Sequence, residues 1–178
     1  MNWTATGTLT ARPALRHPEL LAAPVAAALA ASVGVAAIDP DVADTAAFCD
    51  RYGVAMDASA NCVVVKGKRG GDVRYATCMV LATTRADVNG IVRRQLDVRS
   101  ASFAPMDEAV ARTGMEYGGI TPIGLPGEWP ILVDAAVADS AEVVIGGGIR
   151  ASKLFLPGSI LASLPGAQVI EGLGRAVG

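Results

Sequence analysis

Residues 113–124 read Thr-Gly-Met-Glu-Tyr-Gly-Gly-Ile-Thr-Pro-Ile-Gly, and four glycines and a proline in twelve positions rule out most regular structure there. Glycine and proline both penalise a helix interior, and neither suits the middle of a central strand. Gly118-Gly119 frees the backbone to take positive φ or to approach a ligand closely, whereas Pro122 fixes φ and removes one donor at the exit. Two readings fit. One is an ordinary surface turn. The other is a pocket wall whose amides face inward, anchored to the core by Met115, Tyr117, Ile120 and Ile123. The length of the segment and its interleaved apolar side chains favour the wall.

The chain has 178 residues, enough for one domain with a buried core. It is 52% hydrophobic and 18% charged, which is a globular and not a disordered composition. Aromatics are only 4%, so the core must be built from Val, Ile, Leu and Ala. A net charge of −2 leaves no global basic field, which excludes strong non-specific nucleic-acid binding but permits a local basic face. Cys49, Cys62 and Cys78 stand far apart with no C-x-x-C, as expected of buried thiols in a reducing compartment. The sole histidine, His17, lies beside Pro18 in a segment rich in Pro and Arg, where a tail or N-cap role is expected. With so few ligating residues, so widely spaced, neither a metal site nor a cofactor is expected.

Residues 20–38 carry no charge and resemble a membrane span or a signal peptide. Nine of these nineteen are alanine, and Pro24, Ser32 and Gly34 interrupt them. Alanine contributes little to insertion, and the apolar run starts late for a signal peptide. A short helix from Pro24 to about residue 32 and a strand over 33–38 are expected instead, in a cytoplasmic protein with no membrane partner.

Residues 1–23, with Gly7, Pro13 and Pro18, read as an N-terminal arm, with Thr8-Leu9-Thr10 as a candidate edge strand. Asp39-Pro40-Asp41 favours a helix start, and Gly53 its end. Cys62-Val63-Val64-Val65 is a strand buried on both faces, joined by a basic glycine turn (residues 66–72) to a second strand over 73–82. Thr83 or Thr84 caps an expected helix over 85–96, with Val88, Ile91, Val92 and Leu96 on one face. A strand over 98–102 and a helix from Pro105 to Gly114 follow. Strands are expected at 131–134, 142–145, 153–156 and 167–170, with a helix over 157–164. This mixture predicts an α/β fold, a mixed, curled sheet wrapped by helices, in a single domain spanning residues 1–178.

Taken together, the element order and the glycine signature resemble the YbaK family, which also occurs as the editing domain of prolyl-tRNA synthetases. The likeness runs from about Val33 to Ile170. It is carried by the strand 61–66, by Thr113-Gly114 with Gly118-Gly119-Ile120-Thr121-Pro122-Ile123-Gly124, by Ile131-Leu132-Val133-Asp134, and by Val144-Ile145-Gly146-Gly147-Gly148. The resemblance implies a YbaK-like fold and a trans-editing aminoacyl-tRNA deacylase that hydrolyses the ester of mischarged tRNA. Its partners would be aminoacyl-tRNA and an aminoacyl-tRNA synthetase. It places Gly119 and Asn61 at the catalytic position and Gly118, Ile120, Thr121, Pro122, Gly146 and Gly147 around the substrate. Lys66, Lys68 and Arg69, with Arg93-Arg94, become candidates for tRNA phosphates. It further implies that the tRNA's terminal ribose hydroxyl helps activate water, so that no catalytic His or Cys is needed. Backbone N–H groups suit the developing oxyanion.

Departures from the family pattern accompany this likeness. The substrate-contacting lysine at the start of the hairpin strand is Asn61 here, and Lys66, five residues on, points to the opposite face of a regular strand. The tyrosine at the end of the first strand is Ile38, and an aspartate after the glycine triplet corresponds to Lys153. Lys153 reads as a solvated lysine at a strand start, the alternative being that it returns positive charge to the pocket. Asn keeps a donor but loses the charge, a difference of about 1–2 kcal/mol in substrate binding. The alternative function is a non-catalytic YbaK-like protein that binds tRNA, a synthetase or an aminoacyl ligand.

Overall fold

The computed structural model describes residues 2–30 and 32–177. In chain order its elements are β1 (Arg12–Pro13), α1 (Ala23–Ala28), β2 (Gly34–Ala37), α2 (Thr45–Tyr52), β3 (Ala60–Arg69), β4 (Asp72–Leu81), β5 (Thr84–Ala86), α3 (Arg93–Gln95), β6 (Ser100–Phe103), α4 (Met106–Thr113), β7 (Ile131–Asp134), α5 (Ala135–Ala138), β8 (Val143–Gly146), β9 (Ser152–Leu156), α6 (Gly158–Ala162), β10 (Ala167–Ile170) and β11 (Gly174–Ala176).

The architecture is mixed α/β. Among the described residues the strands form an antiparallel sheet in the order β1-β2-β9-β8, a mixed sheet in the order β10-β7-β4-β3-β6, and a small β11-β5 pair. The first two are stitched by a parallel bridge between Ser59 and Val144. Their facing sides share one apolar cluster: Val35, Ile145, Leu154 and Leu156 meet Met79, Ile131 and Val133, with Val25 of α1 among them. Aliphatic side chains dominate it, as the composition requires. A second cluster, with Phe48 of α2 and Phe155 of β9, fills the other face of the first sheet.

Several boundaries differ from expectation for local reasons. The uncharged run of residues 20–38 splits into α1 and β2, and α1 ends at Ala28. Residue 31, within the expected helix, lies outside the described residues. Among the described residues no helix is long and apolar enough to cross a membrane. Thr8-Leu9-Thr10 is not a strand; the edge pairing with β2 is made by Arg12 and Pro13. The arm is nonetheless docked, with Trp3 against Gly34 and the Glu142 carboxylate accepting from the Thr4 and Ala5 amides.

The expected helix from Asp39 is broken. Asp39 caps a single 3₁₀ turn (Pro40–Val42), and Asp44 is extended before α2 begins at Thr45. The hairpin turn is only Gly70-Gly71, because Lys66 to Arg69 stay paired with β4. Thr83 and Thr84 do not cap the next helix. Thr84 to Ala86 pair with β11, and the Asp87 carboxylate accepts from the amides of Gly90 and Ile91 to open a π turn (Val88–Val92) ahead of α3.

Candidate active site

A cavity of about 470 Å³ opens where the two larger sheets meet. One wall is the start of β3, from Ala60 to Val64. The opposite wall joins Gly146 and Lys153 of the first sheet to Gly118 and Ile120 of the glycine segment. The Ala43-Asp44-Thr45 entry to α2 forms a third side, and Phe103 and Tyr117 stand exposed at the rim. A volume near the low end of small-molecule pockets, edged by Ala43, Ala60, Ala104 and Ala109, suits a small group.

The glycine wall is held from behind. The Gly148 amide donates to the Gly119 carbonyl at 2.7 Å, and the Glu116 amide donates to the Gly148 carbonyl at 2.9 Å. Residues 116–119 and the triplet Gly146-Gly147-Gly148 therefore lie back to back. The fit leaves no room for side chains: a Cβ on Gly146 would stand 2.5 Å from the Gly119 oxygen. Gly118 takes φ +87°, and the Arg150 guanidinium packs over it while donating to the Tyr117 and Pro40 carbonyls. The N–H groups of Gly118 and Ile120 have no acceptor among the described residues.

Lys153 is not the solvated lysine expected at a strand start. It is 7% exposed and lines the cavity. β9 lies between β2 and β8, and apolar clusters cover both its faces, Leu154 and Leu156 on one and Phe155 with Phe48 of α2 on the other; Lys153 shares the Phe155 face. Its ammonium donates to the Ala43 carbonyl at 3.0 Å and sits 4.9 Å from the Phe48 ring centre. No carboxylate pairs with it among the described residues. Burial pushes its pKa down to about 8, with Arg150 nearby acting in the same direction and Cys49 and Asp44 opposing. A buried, unpaired cation on a pocket wall costs stability, and such groups gather at functional sites.

Comparison with known proteins decides the family. Residues 39–164 match the aminoacyl-tRNA editing domain. The chain belongs to that family. Among solved structures it resembles a protein proposed to be a trans-editing enzyme for prolyl tRNA synthetase, at 20% identity and TM-score 0.70, covering 94% of this chain and 100% of that one. It also resembles the hypothetical protein APE2540, at 19% identity and TM-score 0.71, covering 82% and 93%. A scaffold used for computational epitope backbone grafting matches at 22% identity and TM-score 0.68, covering 81% and 88%. At these identities the likenesses establish the fold.

Within this editing domain the sequence-derived site residues fall into two groups. Asn61, Gly118, Ile120 and Gly146 line the cavity. The others do not. Gly119 stands one layer behind, its own amide donating to the Glu116 carbonyl at 2.9 Å, so the free amides flank it. Thr121 and Pro122 are buried, and Gly147 packs against Ser152. Asp134 is likewise buried away from the cavity, beneath the Leu173-Gly174 backbone.

Asn61 is held by the Thr45 hydroxyl, which donates to its Oδ1 at 2.5 Å. Its side-chain amide nitrogen is thereby left as a donor. Cys62 also lines the cavity, but burial pushes its thiol pKa well up, as it does for Cys78 at about 12. A thiol kept protonated is a poor nucleophile.

The candidate phosphate contacts are mostly engaged elsewhere. Lys66 pairs with Glu108 at 2.8 Å, and Glu108 also accepts from the Tyr75 hydroxyl. Arg69 pairs with Asp97 at 2.5 Å, and the Arg93 side chain bonds the Asn89 carbonyl. Lys68 is exposed, but at about 3.3 Å per residue it lies roughly 23 Å along β3 from Asn61.

The Lys66 and Tyr75 contacts hold the Glu108 carboxyl below its usual pKa. This contribution is present above the ordinary carboxylate range and lost as pH falls through the lowered value. Glu108→Gln is therefore expected to flatten the acid limb of a stability-versus-pH curve, measured by urea denaturation. An unchanged limb would show that the pair contributes nothing.

Proposed function

We propose that the protein is a trans-editing aminoacyl-tRNA deacylase that hydrolyses the ester of tRNA charged with a small, wrong amino acid. The observation that carries this reading is the Lys153 ammonium on the same cavity wall as the unengaged amides of Gly118 and Ile120. Family membership supplies the substrate class. The name of the prolyl-tRNA synthetase-related neighbour supports an editing role in trans beside a synthetase; a cytoplasmic location belongs to the same proposal.

In this reading the aminoacyl carbonyl enters between Asn61 and the glycine wall. The amides of Gly118 and Ile120 and the ammonium of Lys153 are the donors for the oxyanion. Water adds to the carbonyl carbon, and the bond to the ribose oxygen breaks. That oxygen takes a proton, and the amino acid leaves as a carboxylate. The terminal ribose hydroxyl would help deprotonate the water. No protein nucleophile is used, in keeping with the protonated Cys62 thiol.

The test is a panel of tRNAs mischarged with alanine, serine, cysteine or threonine, assayed for ester loss. Hydrolysis well above buffer is expected for at least one. No loss for any of them at high protein concentration would remove the deacylase reading. The second reading, a binding protein without turnover, draws on Asn61 standing where the family has lysine. It would be favoured by tight binding of charged tRNA without hydrolysis, and further if Asn61→Lys created activity.

A further inference from the structure

The cavity that holds Lys153 also has an exposed carboxylate at its edge, that of Asp44. Asp44 occupies the N-cap position of α2, where an aspartate ordinarily accepts a bond from the first turn, yet its side chain makes no capping bond. Among the described residues its carboxylate has neither a hydrogen bond nor an ion pair. The neighbouring Thr45 hydroxyl is turned to Asn61 instead of the helix end.

The cations that could neutralise Asp44 are held away from it. Lys153 shares the cavity and feels the Asp44 charge, but its ammonium is fixed on the carbonyl of Ala43. Arg150 is committed to the carbonyls of Pro40 and Tyr117. A cavity thus carries opposite charges on its walls that do not pair with each other. Such an arrangement is complementary to a ligand with a cation at one end and a hydrogen-bond acceptor at the other.

We infer that Asp44 receives the free α-ammonium group of the aminoacyl ester while Lys153 faces its carbonyl, so that the site selects aminoacyl groups with an unblocked amine. This rests on the aminoacyl-tRNA reading above. A blocked amine, as in an N-acylated or peptidyl ester, carries no charge for Asp44 to pair with and would forgo that contact.

The experiment uses hydrolysis-resistant adenosines carrying alanine or serine through a 3′-amide, each with a free and an N-acetylated amine, titrated calorimetrically. The free-amine form is expected to bind the wild-type protein about tenfold tighter than the acetylated one. Asp44→Asn should erase that ratio by weakening only the free-amine form, and Asp44→Glu should retain part of it. Asparagine is as good an N-cap as aspartate, so α2 is unperturbed, which a thermal melt will verify.

A ratio that survives in Asp44→Asn, no preference in the wild type, or no binding of any analogue overturns the proposal. The outcome is separable from the deacylase test. An amine preference that depends on Asp44 in a protein that hydrolyses no mischarged tRNA would leave this site standing and remove the turnover. Equal hydrolysis of free and N-acetylated aminoacyl-tRNA would do the reverse.

Discussion

Lys153→Met is expected to abolish most deacylation and at the same time to stabilise the protein. The ammonium is buried on a cavity wall with one hydrogen bond and no carboxylate partner. Losing a charged donor aimed at an oxyanion lowers kcat/KM by about 10²–10³. The stability effect follows from the pKa, about 8 in the folded chain against 10.5 for a free lysine.

Between those two values the unfolded chain binds more protons than the folded one, so stability rises with pH, by up to about 3 kcal/mol across the window. Below pH 8 the full cost of burying the charge is present. Methionine removes that cost but also the bond to Ala43, leaving a net gain of about 1–2 kcal/mol at pH 7. The check is the difference between wild-type and variant unfolding free energies from pH 7 to 10.5, which cancels the cysteines and tyrosines. The gap should close or reverse as pH rises. An unchanged kcat/KM would take Lys153 out of the site, and a variant less stable at pH 7 would mean that the ammonium's contacts outweigh its burial.

Gly119→Ala is expected to be as damaging, through the backbone. A Cβ there would stand 2.6 Å from the carbonyl carbon and oxygen of Ile149 and 2.9 Å from its nitrogen. Backbone cannot rotate aside as the end of a side chain can, so the glycine wall must move. The move opens the Gly148-to-Gly119 hydrogen bond and shifts the amides of Gly118 and Ile120 on either side. A misplacement of about 1 Å is worth about 100-fold in rate, and overpacking of this kind costs about 2–3 kcal/mol. Gly127→Ala, where an added Cβ meets nothing within 4 Å, is the control and should change stability by less than about 0.5 kcal/mol. Wild-type kcat/KM in Gly119→Ala would mean that the wall is not part of the reaction site.

Local signals carried a good deal of the fold. The β3–β4 hairpin is readable because an apolar run, two glycines and a second apolar run occur in that order, and α4 because Pro105 opens it and Gly114, at φ +68°, closes it. The misread boundaries have separate causes. Thr84 is a fair helix cap in isolation, but β11, ninety residues later, pairs with it and hands the cap to Asp87. The Asp39 helix breaks because Asp44 is extended and becomes the N-cap of a separate helix, α2.

The candidate site divides in the same way. The place of the glycine wall was legible, since the segment is long for a turn and its glycines alternate with apolar anchors. Which of its amides remain free was not, because that depends on Glu116 and Gly148 taking up Gly119 from both sides. Lys66 reads as an available cation until α4 brings Glu108 to it.

By itself, then, the sequence determined the family, the hairpin and the position of the wall, all of which are written in residues close together along the chain. Only the tertiary structure decided the charges. Periodicity tells which side of a strand a residue is on but not what covers that side. The centre of the first sheet and the cover of α2 turn Lys153 from a surface lysine into a buried ammonium. The break before α2 leaves Asp44 exposed and unpaired at the edge of the same cavity.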